Sequence, residues 1–280
     1  MNFFVTGATG KVGSRFVPRL LQHGYNVKVL VRDAAKAEWL IQQGAEVVEG
    51  DLLQPDSYLE ALRGTDAVVH LAAQFRGVDE NTTRIANIDG SVALARAALK
   101  AEVPRFVFSS TNNVYGSGGP SRPKHEDDEP RPAFAYPQTK VEAEAALLKL
   151  HHEEGLGLRI IRFPFVYGER DPHVAEVLPL FCNWNPAKRI HMAHHADVSQ
   201  ALMLATSTEG IDGRIYNVAD DAPISIAELL QLHRYEVSPE AQQQDFDPWD
   251  MVVDTMRIRD ELHYRPIYPS FYSARDAGAL

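Results

Sequence analysis

The chain has little of several features that define whole classes of protein. Cys182 is the only cysteine among 280 residues, which excludes an intramolecular disulfide or a cysteine-rich metal site and favours a reducing compartment. No apolar run reaches membrane-spanning length, and Met1 to Val5 lack the basic segment of a secretory signal. We therefore expect a cytoplasmic protein that is neither exported nor anchored.

Positive charge is also in deficit. The 28 lysines and arginines are outnumbered by 38 acidic residues, and the formal net charge is -10 at pH 7. Nucleic acids and anionic membranes attract positive surfaces, so both are disfavoured as partners. An apolar fraction of 45% is enough for a sizeable core. These values indicate a globular protein without a nucleic-acid or membrane partner.

Apolar runs alternate with helical segments in the first part of the chain. The runs are Phe3 to Thr6, Val27 to Val31, Glu46 to Glu49, Ala67 to Leu71, Phe106 to Ser109 and Leu158 to Phe163. The helical segments are Lys11 to Gln22, Ala34 to Gln43, Ile88 to Ala101 and Gln138 to Glu154. Parallel strands need such crossovers. The pattern predicts an α/β fold, with a Rossmann-type doubly wound parallel sheet.

The later part of the chain indicates a second domain. We predict a dinucleotide-binding domain over residues 1–165, with a return segment at about 197–219. That segment holds a helix from Asp197 to Thr206, with Asp197 as N-cap and Gln200 as its capping-box partner, and a strand from Arg214 to Val218. Residues 166–196 and 220–280 would form a smaller, discontinuous C-terminal substrate domain. Gly116 to Pro132 is predicted to be a loop.

A glycine-rich turn joins the first strand to the first helix. Glycines at such a turn let the backbone approach a pyrophosphate, which is stabilised by the N–H groups and the positive dipole end of the helix. The predicted contacts are Gly7, Ala8, Thr9, Gly10, Lys11, Val12 and Gly13.

The Thr-Gly-x-x-Gly-x-x-Gly pattern resembles the extended branch of the short-chain dehydrogenase/reductase family, which contains epimerases, dehydratases and reductases. Further landmarks are similar in order and spacing: Gly50 to Leu52, His70 to Ala73, Asn87 to Gly90, Ser109 to Gly116, Tyr136 to Lys140, Arg162 to Gly168 and Ala196 to Val198. The resemblance implies further cofactor contacts at Asp51, Leu52, Leu71, Ala72, Ala73, Asn87, Ser109 and Phe163.

Tyr136 and Lys140 are spaced one helical turn apart, so both side chains lie on one face. A nearby ammonium and an oxidised nicotinamide would both lower the pKa of the tyrosine and favour phenolate. Tyr136 is therefore the predicted general acid/base. The resemblance implies that Lys140 also contacts the nicotinamide ribose, so both residues are assigned to the catalytic and the cofactor-binding sets.

The family's catalytic hydroxyl falls on Thr111 when the chain is aligned on Val114-Tyr115-Gly116. This hydroxyl would hydrogen-bond the substrate oxygen and stabilise developing alkoxide charge. Ser110 is the alternative for the same role.

The end of the second strand predicts the choice of cofactor. NAD-binding relatives carry an acidic residue where this chain has Val31. Arg32 follows, and Lys11 and Lys36 could add positive charge for a 2′-phosphate. NADP is the preferred prediction, and NAD remains the alternative, through Asp33 turned towards a ribose.

His191, His194, His195 and Asp197 have ligand types that zinc accepts. We interpret this stretch as a family loop that leads into a helix, and we predict no metal site.

The predicted chemistry is hydride transfer at a carbon bearing oxygen, by an oxidoreductase or an epimerase. The substrate is either a sugar nucleotide, for which Asn183, Lys188 and Arg189 are available, or a smaller carbonyl or alcohol. Asn112 and Asn113 replace the acidic residues of the dehydratase pattern, which disfavours dehydration. A non-catalytic NADP-binding sensor or scaffold is the alternative.

A homodimer, if one forms, would use the helix carrying Tyr136 and the helix from Ile88, as the resemblance implies. Small residues on these helices, Ala93, Ala97, Ala143 and Ala146, are compatible with close helix packing, although packing against the sheet explains them equally well.

Overall fold

The computed structural model describes residues 1–75 and 77–280. The strands within these residues are β1 (Asn2–Thr6), β2 (Asn26–Val31), β3 (Glu46–Glu49), β4 (Ala67–His70), β5 (Phe106–Thr111), β6 (Leu158–Phe163), β7 (Phe165–Tyr167), β8 (Arg189–Ile190), β9 (Met192–His194), β10 (Arg214–Asn217) and β11 (Ile224–Ser225). The α-helices are α1 (Gly13–Gln22), α2 (Glu38–Gln42), α3 (Leu59–Leu62), α4 (Glu80–Arg84), α5 (Gly90–Lys100), α6 (Ala135–Glu154), α7 (His173–Phe181), α8 (His195–Ser207), α9 (Ile226–Leu232), α10 (Met256–Leu262) and α11 (Phe271–Asp276). None of the described helices is long and apolar enough to cross a membrane.

The main sheet confirms the predicted fold class. Among the described residues it has seven strands in the order β10-β6-β5-β4-β1-β2-β3. The pairs β1–β2, β1–β4, β2–β3 and β4–β5 are parallel, and helices flank the sheet. The order reverses at β1, which is where doubly wound sheets open a crevice for ligands at the carboxyl ends of the strands.

Several helix boundaries differ from the prediction. Ala34 to Ala37 is a 3-10 turn that precedes α2, and a π-helical turn from Ile85 to Asp89 joins α4 to α5. The crossover between β4 and β5 therefore begins at Glu80 rather than Ile88. Helix α6 begins at Ala135 instead of Gln138, which places Tyr136 inside its first turn.

The predicted capping role of Asp197 is wrong. Helix α8 begins at His195, so Asp197 lies within its first turn. The Asp197 carboxylate is fully buried and accepts hydrogen bonds from the backbone N–H groups of Ile267 and Tyr268. Its function is to hold a distant segment of the chain, which the local pattern could not indicate.

The contacts of the chain group it into two units. Unit 1 contains residues 1–111, 134–161 and 199–215, and unit 2 contains residues 112–133, 162–198 and 216–280. The sequence pattern places residues 112–133 in the first domain, whereas the contacts of the structure group these residues with unit 2. The domain bounds proposed from the sequence remain a prediction.

The core of unit 1 includes the contact between α5 and α6. Ala97 and Ala143 are buried there in one apolar cluster with Leu94, Leu147 and Leu150. These two alanines are therefore used within the monomer, so they give no support to a dimer interface. Ala93 and Ala146 are only partly buried.

Unit 2 has its own apolar core. Helices α7 and α9 pack together, and Tyr167, Phe181 and Phe271 lie in the same cluster. Two small sheets form in this unit: β7 pairs with β9 in parallel, and β8 pairs with β11 in antiparallel orientation.

Candidate active site

The glycine-rich turn between β1 and α1 leaves no space for a side chain at Gly7 or Gly13. Gly7 has φ +71°, and a Cβ there would lie 2.6 Å from the Ala72 nitrogen. A Cβ on Gly13 would lie 2.2 Å from the Gly7 carbonyl oxygen. The Gly7 carbonyl also accepts a hydrogen bond from the Gly10 N–H at 3.0 Å. The turn is a closed backbone cradle, and this fits the pyrophosphate of a dinucleotide.

A cavity of about 460 Å³ opens at this cradle. The predicted contacts that line it are Gly7, Thr9, Gly10, Arg32, Asp51, Leu52, Leu71, Ala72 and Ala73. Lining residues that were not selected from the sequence are Thr6, Leu30, Val31, Gly50, Leu53, Gln74, Thr82, Ile85, Ala86 and Gly90. Val31 could have been predicted from the sequence, because it lies at the carboxyl end of a predicted strand. The sequence pattern does not indicate the π-helical turn that brings Ile85 and Ala86 to the cavity.

Other predicted cofactor residues shape the turn from behind. Ala8 and Gly13 are buried in it, and Val12 is half-buried. Lys11 is exposed, and its carbonyl accepts hydrogen bonds from Ser14 and Arg15. Phe163 groups with unit 2, and its cofactor role stays a prediction.

Asn87 holds the loop after β4. Its Oδ1 accepts from the Gln74 N–H at 2.7 Å, and its Nδ2 donates to the Gln74 carbonyl at 2.9 Å and to Thr139 Oγ1 at 3.0 Å. Thr139 lies on α6 between Tyr136 and Lys140. Asn87 therefore links a wall of the cavity to that helix, and its direct contact with the cofactor stays a prediction.

His70 forms a second buried link. The Ser91 hydroxyl donates to the Asn87 carbonyl and so accepts from His70 Nε2–H at 2.9 Å, which leaves Nδ1 to accept from the Thr6 hydroxyl at 2.6 Å. Burial, together with the Lys140 charge, lowers the pKa of His70 to about 3. The imidazole is therefore neutral and ties the end of β1 to α5.

A second cavity, of about 320 Å³, lies at the end of β2. Its lining is Thr9, Val31, Arg32, Asp33 and Lys36. The Asp33 carboxylate accepts from the Ala35 N–H at 3.1 Å and caps the turn that follows. The other Asp33 carboxylate oxygen lies 3.7 Å from Lys36 Nζ, so the lining combines this carboxylate with the cations Arg32 and Lys36. Lys11, the third predicted cation, is not part of this lining.

Lys140 is held deep in unit 1. Its side chain is 1% exposed, its Nζ donates to the Ser109 carbonyl at 2.8 Å, and it lies 4.5 Å from the Phe108 ring centre. Burial lowers the pKa of Lys140 to about 7, against the opposing charge of Glu144. The Ser109 main chain, at the carboxyl end of β5, therefore fixes the ammonium.

Tyr136 lies at the start of α6. Its ring and the Phe75 ring are in edge-to-face contact, with their centres 4.5 Å apart. Burial raises the pKa of Tyr136 above the ordinary phenol value. The expected lowering of this pKa by Lys140 is therefore not seen in this structure. A neutral phenol is a proton donor, not a base.

Three hydroxyls follow one another at the end of β5. The Ser109 hydroxyl donates to the His70 carbonyl at 2.8 Å. The Ser110 hydroxyl is buried and has no hydrogen-bond partner among the described residues. Side chains alternate along a strand, so Ser109 and Thr111 share one face and Ser110 lies on the other. The hydroxyls of Thr111 and its alternative, Ser110, therefore lie on opposite faces of β5, so the two side chains cannot both contact the same ligand atom.

The histidines considered for zinc have separate partners within unit 2. His191 Nδ1 accepts from the Val253 N–H at 3.0 Å, His194 Nε2 contacts the Ala279 carbonyl at 2.8 Å, and His195 Nε2 contacts Asp171 at 2.8 Å. Burial is the main cause that lowers the pKa of His191 to about 4. These contacts are structural.

The cations considered for a nucleotide diphosphate are also engaged within unit 2. Lys188 Nζ donates to Asp250 at 2.6 Å and lies 4.3 Å from the Trp184 ring centre. The Arg189 guanidinium donates to the Pro223 carbonyl at 3.1 and 3.2 Å.

The model of the NAD dependent epimerase/dehydratase family matches residues 3–219. The chain belongs to this family. The predicted family, its extended short-chain dehydrogenase/reductase character and the use of a nicotinamide dinucleotide are thereby confirmed.

Individual relatives differ in what they do. A 4-hydroxy-2-methyl-3-oxo-4-farnesyl-3,4-dihydroquinoline-1-oxide ketoreductase from Stigmatella aurantiaca is 30% identical over 249 residues, which are 83% of this chain and 72% of that protein. Photosystem II assembly factor Ycf39 from Trieres chinensis is 39% identical over 114 residues, 41% of this chain and 35% of that factor. The structure of UDP-glucose 4-epimerase from Thermotoga maritima with UDP-glucose aligns over 99% of both chains, with a TM-score of 0.80 and 23% identity. That last likeness concerns the fold alone.

Proposed function

We propose that this protein is an NADP-preferring reductase that converts a carbonyl compound to an alcohol, with Thr111, Tyr136 and Lys140 as its catalytic residues. The bound NADPH supplies the hydride to the carbonyl carbon. Tyr136 donates its phenolic proton to the carbonyl oxygen and regains a proton from solvent, so that carbonyl, NADPH and one proton give alcohol and NADP.

The observation that carries this proposal is the pairing of a dinucleotide cradle with a fixed lysine on the same α/β unit. Lys140 is tied to the main chain of Ser109 at 2.8 Å, and Tyr136 lies one helical turn earlier on α6. A buried ammonium held by a carbonyl is poised to contact a ribose and to stabilise a phenolate after proton transfer.

The protonation state of Tyr136 supports the direction of reduction. A phenol is already neutral at pH 7, and burial raises the pKa of Tyr136 further, so the side chain keeps its proton and can serve as an acid towards a carbonyl oxygen. The Thr111 hydroxyl would donate a hydrogen bond to the same oxygen, where negative charge develops as hydride arrives. The ketoreductase among the relatives gives this direction further support.

The cavity at the end of β2 supports a preference for NADP. Arg32 and Lys36 line it, and the Asp33 carboxylate accepts a hydrogen bond from the Ala35 N–H and caps the following turn. Arginine pairs with phosphate through charge-assisted hydrogen bonds.

Calorimetry is expected to give NADP an affinity at least several-fold higher than NAD. A charge-assisted hydrogen bond contributes about 1.5 to 3 kcal/mol, and replacement of Arg32 should remove it. We expect Arg32→Asp to reverse the preference, and Arg63→Asp, which changes an exposed arginine at the end of α3, to leave it unchanged. Equal affinities for the two dinucleotides in the wild type would contradict the assignment.

Substitutions at the end of β5 test which hydroxyl acts. We expect Thr111→Val to lower turnover by roughly one to three orders of magnitude with little change in NADP affinity, as for loss of one oxyanion donor. Ser110→Ala should have a milder effect, because the two side chains lie on opposite faces of the strand. Steady-state kinetics with NADPH and a reducible ketone would measure both. A larger loss in Ser110→Ala would reverse the assignment.

A second candidate is a non-catalytic NADP-binding role. It is favoured by the match to Ycf39, although the chain spans only about a third of that assembly factor. The presence of both Tyr136 and Lys140 argues for catalysis. Tight NADPH binding without turnover of any carbonyl substrate would favour the binding role.

A further inference from the structure

Two exposed phenylalanines of unit 1 are close to the proposed proton donor, one by ring contact and one by position in the sequence. Phe75 is 39% exposed and contacts the Tyr136 ring edge-on at 4.5 Å. Phe134 is 52% exposed and immediately precedes α6, two residues before Tyr136. Large apolar side chains exposed at a reactive group indicate an apolar ligand, because they gain free energy only when something covers them.

The position of Phe134 strengthens this argument. It is the N-cap residue of α6, where Ser, Thr, Asp or Asn would stabilise the helix by about 1 kcal/mol, and it makes no side-chain capping hydrogen bond. The chain thus has a half-exposed phenylalanine at a position where both helix stability and solubility favour a polar residue. Such a local conflict is typical of a functional position.

Three cations of unit 2 are already paired with carboxylates. Lys188 is paired with Asp250, Arg257 with Asp127 at 2.6 Å, and Arg259 with Asp221. A nucleotide diphosphate would have to displace these carboxylates before it could bind the three side chains. These three cations therefore give no support to a nucleotide-sugar substrate.

We propose that the substrate carries an aromatic or bulky apolar group next to the reacting carbonyl, and that Phe75 and Phe134 are specificity-determining residues that contact this group. This inference rests on the proposed reductase function and names its substrate class. The carbonyl is reduced as described above, and the apolar group is covered by the two rings.

The test compares 4-phenylbutan-2-one with butan-2-one, which share a methyl ketone and differ by a phenyl group. With NADPH and the full chain, we expect kcat/KM to be at least about tenfold higher for the phenyl ketone, the scale set by apolar pocket contacts. Phe75→Ser and Phe134→Ser should each lower this ratio about fivefold and leave NADPH affinity unchanged. Phe75→Leu, which keeps an apolar side chain, should retain most of the ratio.

Ile41→Ser is the matched control. Ile41 is an apolar residue of unit 1 that is 51% exposed and lies on α2, whereas Tyr136 lies on α6, so replacement of Ile41 should leave the ratio unchanged. Equal kcat/KM for the two ketones, or a ratio that survives both serine variants, would overturn the substrate class while leaving the reductase function intact. If neither ketone is reduced, the reductase function itself fails, and the inference with it.

Discussion

Tyr136→Phe is expected to lower turnover by roughly two to four orders of magnitude, the usual contribution of a positioned proton donor. The substitution removes only the hydroxyl and keeps the ring that meets Phe75. Dinucleotide affinity should barely change, because the cradle at Gly7 and Gly13 does not depend on this hydroxyl. Initial rates of NADPH oxidation and calorimetry would measure the two quantities separately.

The matched control for this experiment is Tyr235→Phe, which removes a hydroxyl from an exposed tyrosine of unit 2. It should leave turnover unchanged. Near-normal turnover in Tyr136→Phe would remove the proposed acid and return the protein to a dinucleotide-binding role.

Lys140→Met is expected to damage both turnover and cofactor binding. The variant keeps the length of the side chain but loses the ammonium that would contact the ribose and stabilise the phenolate. Loss of one hydrogen bond from a charged group, about 1.5 to 3 kcal/mol, corresponds to roughly ten- to hundredfold weaker NADPH binding. Lys149→Met on the exposed side of α6 is the control, and it should affect neither quantity. Unchanged NADPH affinity in Lys140→Met would contradict the ribose contact.

The same variant has a pH signature that is independent of activity. Burial lowers the pKa of Lys140 to about 7 in the folded protein, below the 10.5 of an ordinary lysine. Between these pH values the unfolded chain holds the Lys140 proton more strongly than the folded protein does. The contribution of Lys140 to the free energy of unfolding therefore increases as pH rises from about 7 to about 10.5 and decreases as pH falls. Without Lys140, this dependence disappears. Urea unfolding should show that the stability of Lys140→Met relative to the wild type is highest near pH 7 and declines towards pH 10. A constant difference would show that the lysine titrates normally.

The sequence determined the main sheet and the dinucleotide cradle. Strands buried on both faces appear as predominantly apolar runs, such as Phe3 to Val5 and Phe106 to Phe108, and this signal is local. The glycine turn is equally local, because Gly7 needs a positive φ and Gly13 has no room for a Cβ. The one-turn spacing of Tyr136 and Lys140 by itself places both on one helix face.

Only the tertiary structure decided which partners the polar side chains contact and how the pKa values of the catalytic candidates are shifted. The Asp197 carboxylate accepts a hydrogen bond from Ile267, 70 residues away, Asp33 caps the turn that follows β2, and Lys188 is paired with Asp250. The lowered pKa of Lys140 and the raised pKa of Tyr136 both come from burial by neighbouring segments. Hydrogen bonds and loss of solvent between residues distant in sequence determine these properties, and a local pattern carries no record of either.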